Sequence, residues 1–431
     1  MLALLGLATI VLLLVLVMAR MVSPVVALIV VPVATALLGG FGAELANYLT
    51  DGIKTIAPTA VMFIFAILFF GVLMDAGTFE PVISRLLKIA GHHPERITVV
   101  TALLAMLVHL DGSGAVTFLV TIPPLLPLYD ALGMRRTTLA TIVALAAGTM
   151  NILPWGGPTI RAASALEVPV TQLFNPLLIP VLVGLLTVLL MAYYLGRKEK
   201  QRMHQVTPAD WKVETDPSPK ANPLARPRLI WLNWLFILTS VVTLIASVAP
   251  PHVIFMLGFV VALTVNFPRL KAQRERVDAH AKAALLMASI LFAAGCFTGI
   301  LKGTGMNAAM AQAAVEVIPD ALGRHLAFFT GLVSVPASLL FDPDSFYFGI
   351  LPLLGNTATH FGLESIEVGR AAILGQMTTG FPVSPLTGAT FLLIGLTGVD
   401  LGEHQRKTLP LAFLVTLVML LVSIACGAIH F

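Results

Sequence analysis

Residues 109–118 read HLDGSGAVTF and lie between two stretches apolar enough to sit in a lipid bilayer. An aspartate beside two glycines needs a reason there. Hydrocarbon offers no water for the charge and no partners for an interrupted backbone. Of the 431 residues, 58% are hydrophobic and 11% charged, against about a quarter charged in a soluble domain. Mean hydropathy is +0.94. Apolar blocks at 2–19, 24–42, 58–76, 176–195, 230–248, 282–301 and 410–430 each approach the ~20 residues that cross a bilayer as helix. The chain reads as an all-α polytopic membrane protein. No basic residues precede the first block and no small-residue cleavage site follows it, so it reads as a span, not a secretory signal. Cys296 and Cys426 sit in apolar segments as small buried hydrophobes and give no disulfide framework.

The pI of about 9.1 does not point to nucleic acid, because the surplus charge is local. Residues 196–228 hold eight basic and four acidic residues and five prolines, and their excess equals the net charge of the chain, +4. This stretch reads as a solvated linker, cytoplasmic by the positive-inside rule. It separates two halves, 1–195 and 229–431, that share landmarks. ILFFGVLMDAG (67–77) resembles ILFAAGCFTGILKGTG (290–305), Gly133 pairs with Gly362, Pro154 with Pro382, and the opening motif with FDPDSF (341–346), all at a nearly constant offset. Each half parses as three spans, an interrupted apolar stretch, a broken span and a final span. With 97–129 and 325–357 as re-entrant hairpins, and 137–165 and 370–396 as broken helices, each half crosses five times. The halves are then inverted repeats with both chain termini outside. Twenty-one of the 26 Arg and Lys residues fall on the linker side, four on the other, and Arg161 alone within a span.

Inverted repeats with discontinuous helices in matching positions signal a secondary transporter. Helix ends at such breaks expose unpaired N–H groups and a positive dipole end, which suit an anionic solute. Four breaks qualify. LDGSG (110–114) offers Asp111, Gly112, Ser113 and Gly114. NILPWGGPT (151–159) offers Asn151, Gly156, Gly157 and Thr159. DPDS (342–345) offers Asp344 and Ser345, and GFPVSPLT (380–387) offers Ser384 and Thr387. Asp111 lies too deep in apolar sequence for a surface turn. Asp342 precedes a proline and suits a helix cap, which leaves Asp344 as the acid of the second hairpin. Arg161 either pairs with Asp111 or Asp344 or holds a substrate carboxylate. His109 reads as a core histidine, although its chemistry also suits a proton relay. Asp75 reads as a span boundary.

These motifs, in this order, resemble the citrate–metal:proton symporter family of the ion transporter superfamily over nearly the whole chain. The likeness is carried by APTAVMFIFAILFFGVLMDAGTFEP (57–81), LDGSGAVTF (110–118), MNILPWGGPTIRA (150–162), FYFGILPLL (346–354) and LGEHQR (401–406). It implies carriage of citrate, often complexed with a divalent metal, together with protons. It also implies a homodimer whose transport domain moves like an elevator against a scaffold domain. Asp111, Gly112, Gly114, Asn151, Pro154, Gly156, Gly157, Pro158, Thr159, Arg161, Ser384 and Pro385 stand at matching positions. Ser113 departs from the family's Asp-Gly-Asp-Gly, which removes a hard oxygen ligand of the kind Mg²⁺ or Ca²⁺ takes. No histidine stands in GQMTTGFPVSPL (375–386), another departure.

The expected function is uptake of citrate, alone or with Mg²⁺ or Ca²⁺, or of a related di- or tricarboxylate, by proton symport across the cytoplasmic (inner) membrane. Gly112, Ser113, Gly114, Asn151, Gly156, Gly157, Thr159, Arg161, Ser345, Ser384 and Thr387 would bind substrate. Asp111 and Asp344 would couple protons, or touch a metal that arrives with the substrate. No tightly bound cofactor and no nucleic-acid partner are expected. A proton-coupled carrier of a monocarboxylate such as gluconate is the alternative, and an intramembrane aspartyl hydrolase or a channel ranks below both.

Overall fold

The computed structural model describes every residue except Arg20, His92, Ser113 and 204–221, so Ser113 and most of the linker lie outside the described residues. All regular structure among the described residues is helical. The first half runs α1 (Leu2–Met18), α2 (Pro24–Leu38), α3 (Leu45–Asp75), α4 (Glu80–Ala90), α5 (Pro94–Val108), α6 (Gly114–Ala131), α7 (Arg136–Met150), α8 (Gly157–Ala165) and α9 (Leu178–Met203). The second runs α10 (Ile230–Ile245), α11 (Pro251–Asn266), α12 (Leu270–Gly303), α13 (Met306–Val317), α14 (Leu326–Leu340), α15 (Leu351–His360), α16 (Ser365–Gly380), α17 (Gly388–Thr397) and α18 (Leu401–Ala425). The long helices of the two series follow in the same order, although α6 has 18 residues and α15 only 10, and short helices at Val170–Phe174 and Asp320–Gly323 fall at different points of the two halves. Six helical segments among the described residues are long and apolar enough to cross a membrane, and five shorter helices are strongly apolar.

Local chemistry sets many of the helix ends. Ser23 Oγ accepts from Val26 N at 3.4 Å ahead of Pro24 in the first turn of α2. Asp400 Oδ1 accepts from Gly402 N and Glu403 N at 2.9 and 3.2 Å and caps α18. A side-chain oxygen in this position satisfies N–H groups that have no partner within the helix.

Three boundaries differ from the hydropathy reading. α3 starts at Leu45 and α12 at Leu270, each about a dozen residues ahead of the apolar block, because the more polar residues before each block continue the same helix. α9 runs on to Met203, so the first residues of the expected linker are helical. Glu199, 4% exposed, anchors that extension: Thr138 Oγ1 donates to its Oε1 at 2.6 Å and Arg202 to its Oε2 at 3.1 Å. Cys296 is buried as expected, but Cys426 is exposed at the end of α18.

Helices pack in lipid through close approach and polar ties more than through hydrophobic gain. α3 and α12 run antiparallel and touch along their length, with α2 and α11 alongside. At one end of this pair Gly52 faces Gly295 and Gly299, and a Cβ on Gly52 would stand 2.0 Å from the Gly295 carbonyl oxygen. A second group gathers α5, α7, α9, α14, α16 and α18. Hydroxyl pairs tie it: Thr141 to Thr408 at 3.0 Å and Thr378 to Thr416 at 2.6 Å. Asn233 of α10 and Asn266 of α11 exchange amide hydrogen bonds at 3.0 and 2.9 Å.

The glycine crossing yields a test. Gly52→Ala forces α3 and α12 apart and should cost about 1–3 kcal/mol, the usual range for overpacking. The purified variant should therefore melt measurably lower in detergent, and an unchanged melt would rule out the crossing.

Candidate functional site

The helices stop at four places, and the stops converge. Between α5 and α6, His109–Asp111 form one 3₁₀ turn and Gly112 takes φ +73°, a left-handed conformation that favours glycine. Residues 151–156 separate α7 from α8. Phe341–Pro343 follow α14 before a π-helical turn, Ser345–Ile350, leads into α15. Residues 381–387 separate α16 from α17.

Side chains cover the carbonyls that these breaks leave open. Trp155 Nε1 donates to Leu110 O at 2.8 Å, so the tryptophan of one break clamps the tip of the first hairpin. Its indole stacks on Phe70 with centroids 5.2 Å apart and meets Phe255 edge-on. Phe381, from the fourth break, closes on the other side of that tip against His109 and Phe118, both at 5.5 Å. Gly114 makes this possible, since a Cβ there would fall 1.8 Å from the Phe381 ring. The carbonyls of the fourth break are met by His404 Nε2 at Pro382 O, 2.9 Å, and Gln405 Nε2 at Val383 O, 3.0 Å. The motif LGEHQR thus does structural work that its sequence does not announce. The only signal was a histidine and a glutamine near a proline-rich break whose carbonyls needed donors.

Asp342 Oδ1 accepts from Asp344 N and Ser345 N at 3.0 and 3.1 Å, and Ser345 Oγ donates to Asp342 Oδ2 at 2.5 Å. Asp342 is therefore the cap, and its turn aims Asp344 inward. Asp344 Oδ1 accepts from Arg161 Nε at 2.5 Å, with both side chains only about a tenth exposed. Arg161 rises from α8, and its Nη2 also reaches Met287 Sδ of α12 at 3.9 Å. Of the two roles open to Arg161, the structure pairs it with Asp344.

Around this pair lies a cavity of about 970 Å³. Asp111, Gly112, Gly114, Asn151, Gly157, Arg161, Asp344 and Thr387 line it, as do Asp342 and His280. Gly156, Thr159, Ser345 and Ser384 do not. A Cβ on Gly156 would meet Asn151 O at 2.0 Å, so that glycine closes the turn. Ser384 Oγ accepts from Leu386 N at 3.2 Å inside its own break. Thr159 is fully buried and its hydroxyl has no hydrogen-bond partner. Buried His109 holds Thr117 through Nδ1 at 2.7 Å, while its Nε2 and Asn151 Oδ1 lack partners in hydrogen-bond geometry. Sequence reasoning missed His280 altogether and took Asp75 only as a span boundary. His280 lines the cavity from α12, and Asp75 pairs with both His280 and Arg276. No three His, Cys, Asp or Glu side chains among the described residues form a metal-ligating group.

The cavity is thus shaped to hold a polar solute on broken helix ends. Residues 3–375 match the family described as citrate transporter. The chain belongs to the citrate transporter family. It is 43% identical over 431 residues to a protein of Bacillus subtilis (strain 168) named citrate transporter, covering both chains in full. It is 38% identical over 431 residues to that organism's Mg(2+)/citrate complex secondary transporter, covering all of this chain and 99% of the other. The YdaH transporter of Alcanivorax borkumensis shares the fold, with a TM-score of 0.63 at 16% identity over 89% of this chain and 88% of that one. The family and these relatives are transporters, not enzymes, and the hydrolase reading falls with that finding. The protein is a multi-pass membrane protein.

Removing one partner of a buried ion pair leaves the other charge uncompensated, at about 3–5 kcal/mol. Arg161→Gln in this transporter should show that loss as a lower melting temperature, and Arg161→Gln/Asp344→Asn should recover most of it. Additive losses in the double variant would mean that the pair is not a unit.

Proposed function

We propose that the protein is a secondary carrier that takes up citrate as a complex with a divalent metal, by symport with protons. The observation that carries this reading is the charge in the cavity. Among the described residues, Asp111, Asp342 and Asp344 line it against one guanidinium, Arg161. Free citrate at neutral pH is a trianion, and three carboxylates would repel it. Complexed with Mg²⁺ or Ca²⁺ it is a monoanion that presents a cation to the aspartates, which are hard oxygen ligands of the kind such ions take. That one relative is named a Mg(2+)/citrate complex secondary transporter supports the same cargo.

In this reading a citrate carboxylate displaces Asp344 from Arg161 and takes the guanidinium. The released Asp344 carboxylate turns to the metal of the complex or accepts a proton, and Asp111 faces the cargo from the opposite tip. Asn151, Thr387 and the amides around Gly112, Gly114 and Gly157 orient the remaining oxygens. Gly156, Thr159, Ser345 and Ser384 hold the shapes of the breaks behind them. The halves act as inverted repeats, with hairpins and broken helices moving as a transport domain against a scaffold that contains the first two spans of each half, α1, α2, α10 and α11, within a homodimer in the cytoplasmic membrane. The linker lies inside and both termini outside.

The test is citrate uptake by purified protein in liposomes under an inward proton gradient, with Mg²⁺, with Ca²⁺ and with excess chelator. Metal-dependent uptake that acidifies the lumen is the expected outcome. Uptake indifferent to chelator would replace the complex with free carboxylate. No citrate uptake under any condition would overturn the cargo.

A further inference from the structure

His280 is outside every motif discussed above, yet it faces the same cavity as Arg161. Its position follows from helix geometry. His280, Ala283 and Met287 line the cavity from one face of α12, and Met287 is the residue that Arg161 Nη2 touches. Seven residues of α-helix span about 10 Å, so His280 stands two turns from the Arg161 contact along one wall. Phe63, Ile67, Gly71 and Met74 of α3 make the adjoining strip. The direction of travel is toward the linker side. Asn222 of the linker donates to Asp75 O at 3.1 Å, and Arg226 N, also in the linker, donates to Ala76 O at 2.8 Å. Met21, 69% exposed, lies at the same mouth.

The histidine is held as a built group. Its Nε2 meets Asp75 Oδ2 at 2.9 Å, and Arg276 Nη1, one turn earlier on α12, meets the same oxygen at 3.1 Å. The ring lies on Gly71, where a Cβ would come within 2.7 Å of three ring atoms, so only glycine seats it there. With Nε2 on Asp75, a cargo carboxylate would meet this ring through an Nδ1–H, that is, as the doubly protonated imidazolium. The charge also differs from that of the deep end. Three aspartates and Arg161 line the cavity there, whereas Asp75 at the mouth is paired with Arg276 and meets the His280 ring, and Glu80 is turned to Asn222.

We propose that His280 is a second carboxylate contact, a station at the linker-side mouth that receives the anionic face of the cargo as it leaves or enters Arg161 from that side. Asp75 is its positioning residue. The proposal rests on the reading of the cargo as a carboxylate. A carrier must bind its solute at each point strongly enough to admit it and weakly enough to pass it on. A fixed imidazole about 10 Å from a buried guanidinium supplies that weaker second step. Because His280 belongs to the α3–α12 wall and Arg161 to the broken helices, the two are neighbours only while the cavity opens on the linker side.

The experiment measures Mg²⁺-citrate transport in oriented vesicles, with substrate presented from the linker side or from the opposite side. His280→Ala should raise KM from the linker side about tenfold, the loss of one charge-assisted hydrogen bond, while leaving the opposite-side KM within about twofold. His280→Gln keeps a donor for Asp75 and should lie between, and it decides the matter if the alanine variant does not purify as a monodisperse protein. Asp75→Asn should shift the linker-side KM in the same direction. Unchanged KM values, or equal rises from both sides, would overturn the station while leaving the citrate reading intact. A wild-type protein that moves no citrate from either side would overturn both.

Discussion

A guanidinium held inside a bilayer costs at least about 2.5–3.5 kcal/mol on insertion scales, and an aspartate there costs a similar amount. The Arg161–Asp344 pair meets both costs at once, and it can do so only if two distant parts of the chain arrive together. Arg161 needs α8 to start at Gly157, after a break that turns it inward. Asp344 needs the turn that Asp342 caps, 183 residues further on. Once the two meet, the second break of one half lies against the hairpin tip of the other. The space around them is then bounded by broken helix ends instead of lipid. The cavity follows from the pair.

The same solvent argument governs the backbone. Every carbonyl freed by a break has to find a donor in protein, and the donors come from elsewhere in the chain. Trp155 serves Leu110, His404 serves Pro382 and Gln405 serves Val383. Each is a tie between segments, so the polar repair of the breaks also positions them.

How much of this could be read in advance depends on distance along the chain. The interruptions at 110–114, 151–159, 342–345 and 380–387 were legible, because glycine, proline and a polar residue within an apolar run act locally. Asp342 as cap and Asp344 as inward acid were legible for the same reason. The partner of Arg161 was left open between two aspartates, since nothing within a helical turn distinguishes them. Thr159, Ser345 and Ser384 looked like ligands by residue type and are instead buried or bonded within their own breaks. His280 carried no local signal at all. Its role comes from Gly71 and Asp75, some 200 residues earlier, which the antiparallel packing of α3 on α12 brings beside it. Residue types mark where a helix stops, while pairings wait for the fold.

A carrier adds a constraint that a static site lacks: its empty and loaded forms must both rearrange within the bilayer without a bare charge. With Asp344 on Arg161 the empty site is balanced at that point, so no solute is needed to neutralise the guanidinium. Under the proposed reading, a cargo carboxylate that takes Arg161 leaves Asp344 unbalanced, and a metal or a proton must then arrive with the cargo. A cargo of anion alone would strand that aspartate, and a metal alone would leave Arg161 and Asp344 still engaged with each other. Under that reading the ion pair would make anion and cation arrive together, and the exchange of partners would couple the two.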